Sequence, residues 1–311
     1  MKNVRPVLRW MSILILFFLF ACSTRQIPPV SEPGSDSLAS DSLSLSEPAS
    51  DSLASDYLYA ALWYQRGVEA KANIIIQYKL AGMMLDRALK SPDWTAAPEE
   101  QQGDYQNKPP AVILDVDETV LDNSPFMSWL AVNNFYYDSI HQPDWNRWID
   151  AAKCPALPGA LEFIHAAEAQ NVKVFYVTNR PASQQDATRR NLQAVGLNVT
   201  NDDIYLKKEQ PDWGSPKGSR RKVIADHYRI LLLIGDNLGD FVDGYKASYD
   251  KREEFLNMDA YGQLWGEKWI MLPNPLYGSW EQAAFDHKPD GKNRSEIRKS
   301  MKSFLHVWDG K

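Results

Sequence analysis

The sequence predicts an α/β fold: a doubly wound parallel sheet with a small cap insertion, preceded by a helical segment. Two observations carry that expectation. Apolar runs at 111–114, 172–177, 204–206, 230–234 and 269–272 alternate with helical stretches near 157–169, 183–195, 219–228 and 281–304, the pattern of a parallel sheet covered on both faces. Polar residues gather directly after three of those runs, where ligands of such sheets sit. With 311 residues, 44% of them hydrophobic, the chain has a core for one large or two small domains, which excludes wholesale disorder. A formal net charge of -6 gives no electrostatic ground for binding a nucleic-acid polymer, and two cysteines make no disulfide scaffold.

Residues 1–22 read as a lipoprotein signal peptide. Lys2, Arg5 and Arg9 precede an apolar run from Trp10 to Phe20, shorter than the roughly 20 residues a spanning helix needs. Leu19-Phe20-Ala21-Cys22 resembles a bacterial lipobox, which makes Cys22 the lipidated residue. Ser23 after it resembles the outer-membrane sorting pattern. The expected location is therefore the outer membrane, lipid-anchored and facing either the periplasm or the cell surface. Cys154 is then the remaining thiol and reads as a buried structural residue.

Residues 23–56 read as a disordered tether. The segment 31–45, rich in Ser, Asp and Pro, recurs with few changes at 46–60, and such a stretch buries too little apolar surface to offset its ordering entropy. A coil of this length holds a domain on the order of 30 Å from its anchor.

The main domain is expected over 57–311. From Tyr57 a helical pattern sets in, with Leu58, Leu62, Val68, Ala72, Ile75, Ile76, Leu80, Met83, Met84 and Leu89 forming its apolar stripe; Pro92 and Pro98 end it. The five apolar runs follow as buried parallel strands. Between the first two lies a segment of roughly fifty residues, too long for a simple crossover. It is expected to form a cap at about 124–158, cored by most of Trp129, Phe135, Tyr136, Tyr137, Trp145 and Trp148.

The polar strand ends carry the chemistry. Asp115-Val116-Asp117-Glu118-Thr119 follows the first run, Thr178-Asn179-Arg180 the second, and Gly235-Asp236-Asn237-Leu238-Gly239-Asp240 the fourth. Acids that merely cap helices or solvate loops explain one such site but not three. Residues two apart on a regular strand share a face but lie about 6.6 Å apart along it, so Asp115 and Asp117 converge on one point only if the chain turns at once after the strand.

DVDETVLDNSPF (115–126), YVTNR (176–180), Lys217 with Arg220 and Arg221, and IGDNLGDF (234–241) resemble the four motifs of class C acid phosphatases. These are lipoprotein 5′-nucleotidases of the haloacid dehalogenase (HAD) superfamily. The resemblance runs from about Ala60 to the C-terminus and includes DWNRWIDA (144–151), PGALEF (158–163) and IMLPNPLYGSWE (270–281). Two departures stand out: Phe126 occupies a position where the family often has Tyr, and the stretch 209–216 lengthens the approach to Lys217, leaving Lys207 and Lys208 as alternative third-motif lysines.

The resemblance implies a HAD-type sheet and a magnesium-dependent phosphomonoesterase, with one Mg²⁺ per active site. It implies Asp115 as nucleophile and Asp117 as general acid and base. Thr178, Asn179 and Lys217 would hold phosphoryl oxygens, and Asp115, the Asp117 carbonyl, Asp236 and Asp240 would surround the metal. Trp145 and Tyr277 would clamp a nucleobase or nicotinamide ring. Small phosphomonoesters, among them nucleoside monophosphates and nicotinamide mononucleotide, are the expected partners; a homodimer stays open. Two other classes remain at this point. One is a haem- or nutrient-binding lipoprotein on the same fold, which would need no intact acid set. The other is a storage protein lacking the nucleophile, against which Asp115 argues.

Overall fold

The computed structural model describes residues 55–136, 140–257, 259–288, 292–308 and 310. The signal peptide with Cys22, nearly all of the tether, and Tyr137 lie outside the described residues.

Strands form at all five apolar runs. In chain order the elements are α1 (Leu58–Arg66), α2 (Val68–Leu89), β1 (Pro110–Leu114), α3 (Ser124–Val132), α4 (Gln142–Asp150), α5 (Ala160–Ala169), β2 (Lys173–Pro181), α6 (Gln185–Ala194), β3 (Ile204–Lys207), α7 (Gly218–Ala225), β4 (Arg229–Gly235), α8 (Tyr249–Asn257), β5 (Trp269–Met271), α9 (Ser279–Gln282) and α10 (Arg294–Ser303). The sheet order is β3-β2-β1-β4-β5, with every pairing parallel. Winding runs outward from β1 in one direction and then, from β4, in the other, so the strand order reverses between β1 and β4. That crevice is where a doubly wound sheet opens for ligands.

Alternation along the strands divides the core in two. Val112, Leu114, Val174 and Tyr176 face one cluster, with Tyr64, Ile74, Tyr78, Phe163 and Leu192 of the covering helices. Ala111, Ile113, Phe175 and Val177 face the other, with Ile224 of α7, Phe241 and Trp269. Both faces of the sheet are dry, which is why its strands read as continuous apolar runs.

The N-terminal helix differs from expectation in two ways. It is two helices, because Gly67 is extended (φ -65°, ψ 124°), and a Cβ there would stand 2.6 Å from the Trp63 carbonyl oxygen. Its buried face is also rotated from the predicted stripe. Ala61, Tyr64, Ala70, Ile74, Tyr78, Ala81, Leu85 and Ala88 are buried together with Met84 of the expected stripe, whereas Leu58, Leu62, Val68, Ile76 and Met83 are exposed. Small alanines let α2 approach α5 and β4 closely, and Tyr78 is drawn in by its hydroxyl, which donates to the Thr119 carbonyl at 2.7 Å. The helix expected at 281–304 is likewise split, with Asp286 and His287 at φ 56° and 57° between α9 and α10.

Candidate active site

Local folding after β1 brings the two acids to one place. The Val120 and Leu121 N–H groups both return to the Val116 carbonyl at 2.9 Å, and Glu118 adopts φ 51°. The chain therefore turns at once. Asp115 sits at the tip of β1, its N–H bonded to the Ile234 carbonyl of β4 at 2.9 Å.

Lys217, just before α7, is buried and pairs with both Asp115 and Asp240, the latter at 2.6 Å. Lys207, half-buried at the end of β3, and the exposed Lys208 do not make this contact. The lengthened loop is held by Arg220, which is fully buried and donates to the Thr178 carbonyl and to Asn179 Oδ1 at 2.8 Å. Arg220 also donates to the Gly214 and Pro216 carbonyls at 3.1 and 3.2 Å. This one guanidinium ties the loop before Lys217 to the second motif.

Asp240 closes the turn after β4, its Oδ2 accepting the Asn237 N–H at 2.9 Å. A Cβ on Gly235 would stand 2.3 Å from that same oxygen, so only glycine permits the approach. Asp236 accepts from Asn274 Nδ2 at 2.8 Å. Asp115, Asp236 and Asp240 are the metal-suited group among the described residues, with candidate ligand oxygens all within 4.8 Å of one another. Asp117 lies outside that group of carboxylates. Its side chain is taken by the buried Arg180, whose Nη2 and Nε donate at 2.7 and 3.1 Å, and by Asn123.

The electrostatics suit a cation. Burial pushes the Asp115 carboxyl up to about 7; Lys217 opposes the rise, while Asp240 and Asp117 add to it. Burial, followed by Asp240 and Asp115, raises Asp236 well above the ordinary carboxylate range. Burial alone would lower Lys217, but its two acid partners raise it, so it stays charged. One lysine against three buried acids leaves surplus negative charge at an all-oxygen donor set, which suits a hard divalent ion.

Thr178, Asn179 and Arg180 lie on β2, which continues to Pro181 with a register break after Thr178. Thr178 is buried; its Oγ1 accepts the Arg180 N–H at 3.1 Å, which leaves its own hydrogen to donate. Asn179 is exposed, with its carbonyl oxygen committed to Arg220. Trp145 on α4 packs edge-on against Phe126, with ring centres 5.2 Å apart. Tyr277 is half-buried, and its hydroxyl is bound to Glu118. Burial raises Glu118 well above the ordinary range, with Asp117 and Asp236 adding to the shift.

Glu118, Asn123 and Asn274, which the sequence motifs do not single out, bind the acids or their loop. The buried Tyr64 hydroxyl of α1 has no hydrogen-bond partner among the described residues and feels the charges of Glu118 and Asp236. Their signal in the sequence was faint, since Asn and Glu beside an acidic motif read equally well as loop solvation.

A family model described as HAD superfamily, subfamily IIIB (acid phosphatase) matches residues 52–280. A solved class C acid phosphatase from Bacillus anthracis is 34% identical, with a TM-score of 0.69, covering 81% of this chain and 98% of that one. Its tungstate-bound form matches at 33% identity and the same TM-score. Acid phosphatase 1 of Solanum lycopersicum is 26% identical over 170 residues, 53% of this chain and 57% of that protein. The stem 28 kDa glycoprotein of Glycine max is 24% identical over 171 residues, 53% of this chain and 58% of that protein. The chain thus aligns with somewhat over half the length of these plant relatives. On the family match and the structural likeness together, the chain belongs to the acid phosphatases of HAD subfamily IIIB.

Proposed function

We propose that the protein is a magnesium-dependent phosphomonoesterase that works through an aspartyl-phosphate on Asp115. The observation that carries the reading is the buried Asp115–Lys217–Asp240 array beside Asp236 at the switch point of the sheet. A phosphate monoester is an anion, so a carboxylate attacks it only where charge is offset and the groups are aligned. Asp115 Oδ forms the bond to phosphorus while the ester P–O bond breaks, its electron pair staying on the leaving oxygen. Asp117 gives that oxygen a proton and then takes one from the water that frees phosphate from Asp115. Lys217 and the Thr178 hydroxyl offer donors to the phosphoryl oxygens, and Asn179 helps to orient them. Asp115, the Asp117 carbonyl and Asp236 would hold one Mg²⁺, with Asp240 at its edge; when bound, the ion neutralises phosphoryl charge. The relative solved with tungstate supports the oxyanion-binding part of this reading, since tungstate shares the tetrahedral shape of phosphate.

Nucleoside 5′-monophosphates and nicotinamide mononucleotide are the substrates we favour, with Trp145 and Tyr277 as flat walls for the ring. Lipidation at Cys22 would hold the enzyme on the outer membrane, and a homodimer is compatible with this arrangement. The test is phosphate release from p-nitrophenyl phosphate with and without a chelator, in wild type and in Asp115→Asn and Asp236→Ala. Turnover should vanish with the chelator and in Asp236→Ala. It should also vanish in Asp115→Asn with metal present, because an amide is no nucleophile. Substantial activity in a verified Asp115→Asn preparation would refute the covalent route.

A further inference from the structure

Asn123 is fully buried, and hydrogen bonds from three parts of the chain converge on its amide. Its Nδ2 donates to Asp117 Oδ1 at 2.8 Å and to Glu118 Oε2 at 3.3 Å. Its Oδ1 accepts from the Trp148 indole of α4 at 2.9 Å and from the Cys154 thiol at 3.2 Å. An indole nitrogen only donates, so the amide oxygen must face Trp148 and the amide nitrogen must face the acids. The Asn123 N–H adds a bond to Glu118 Oε1 at 2.7 Å, which fixes its backbone to the same loop.

The consequence falls on Asp117. Its Oδ1 takes donors from Asn123 at 2.8 Å and from Arg180 at 2.7 and 3.1 Å, while among the described residues Oδ2 takes a single Arg180 donor at 3.1 Å. One oxygen is saturated and its mate is left for proton exchange. We infer that Asn123 is a positioning residue for protonation of the leaving group: it occupies Asp117 Oδ1 so that Oδ2 delivers the proton, and Trp148 links that geometry to α4. The inference rests on the phosphatase reading above. As the Asp115–phosphorus bond forms and the ester bond breaks, the proton on Asp117 Oδ2 moves to the leaving oxygen. A neutral alcohol departs, and Asp117 remains as a carboxylate beside Arg180.

This role has a readout that a merely structural one lacks. p-Nitrophenolate is a weak base and leaves without a proton; the alkoxide of glycerol is a strong base and needs one. The measurement is kcat/KM, which reports steps through formation of the aspartyl-phosphate, for p-nitrophenyl phosphate and glycerol 2-phosphate in wild type, Asn123→Ala and Trp148→Phe. General-acid contributions of about 10²–10⁴-fold set the scale. Asn123→Ala should lose about tenfold or more on glycerol 2-phosphate and no more than about twofold on p-nitrophenyl phosphate. Trp148→Phe, which removes the indole donor while keeping an aromatic ring and guards against a misfolded Asn123→Ala, should show the same split at about threefold. Equal losses on both substrates, or no loss on glycerol 2-phosphate in either variant, would overturn the inference. A wild type that turns over neither substrate would overturn the phosphatase reading and this inference with it.

Discussion

Tyr277 makes two kinds of contact with one side chain: its ring packs against the buried core, and its hydroxyl binds Glu118 in the loop that carries Asp115 and Asp117. The two contributions separate by substitution. Offset stacking adds about 0.5–1.5 kcal/mol per aromatic contact, so Tyr277→Ala or Trp145→Ala should cost nucleoside monophosphates up to roughly tenfold in kcat/KM. Tyr277→Phe keeps the ring and should keep that selectivity, losing only the bond to Glu118. Glycerol phosphate offers no ring, so comparing both substrates in all three variants decides the matter; equal losses would mean the aromatics stabilise the fold rather than recognise the ring. Asp115, Asp117 and Asp236 were legible in the sequence because each stands at the end of an apolar run. Glu118 was not. Its partner Tyr277 lies 159 residues away, and no local pattern announces such a pairing.

Between elements, Glu281 of α9 accepts the hydroxyl of Tyr136, which lies in the segment joining α3 and α4, at 3.1 Å. Burial pushes the Glu281 carboxyl from 4.5 up to about 7; the Tyr136 bond opposes this and Asp56 adds to it. Below pH 4.5 the group is protonated whether folded or unfolded. As pH rises toward 7 the unfolded chain releases the proton while the fold retains it, so stability falls across that window, by at most about 3 kcal/mol from this group. Glu281→Gln should remove that share. Melting temperatures from pH 4.5 to 7.5 should decline less in the variant than in wild type, and parallel declines would mean that the fold does not raise the Glu281 pKa. The elements also show where periodicity misleads. The stripe read along the first helical segment caught Met84, but the buried face of α2 is otherwise Ile74, Leu85, Tyr78 and three alanines, because close approach to α5 and the sheet favours small side chains and a hydroxyl with a partner. Gly67, Asp286 and His287 break expected helices by backbone conformation, which a stripe of apolar residues does not encode.

No helix among the described residues is long and apolar enough to cross a bilayer, and the lipidation expected at Cys22 is open to a direct test. Cys22→Ser should abolish lipid labelling and move the protein out of the membrane fraction while phosphatase activity persists; unchanged lipid incorporation would sink the lipoprotein reading. At the near end of the tether, Asp56 pairs with Arg294 and Arg298 of α10, and Tyr57 stacks on Tyr136 with ring centres 5.8 Å apart. The second copy of the repeat has Tyr57 where the first has Ser42, and Tyr57 is buried, so the end of the repeat enters the fold, while Tyr59, in place of Ser44, stays exposed. By itself the sequence determined the five strands, the α/β class and the positions of the acids, because apolar runs and the polar residues that end them are local signals. The tertiary structure alone decided that Lys217 rather than Lys207 or Lys208 meets Asp115 across 102 residues, and that Arg180 and Asn123 both hold Asp117 Oδ1. Those contacts depend on how loops from separate strands close over one sheet edge. That closure is set by burial and by pairing of charges in a dry site, neither of which has a period along the chain.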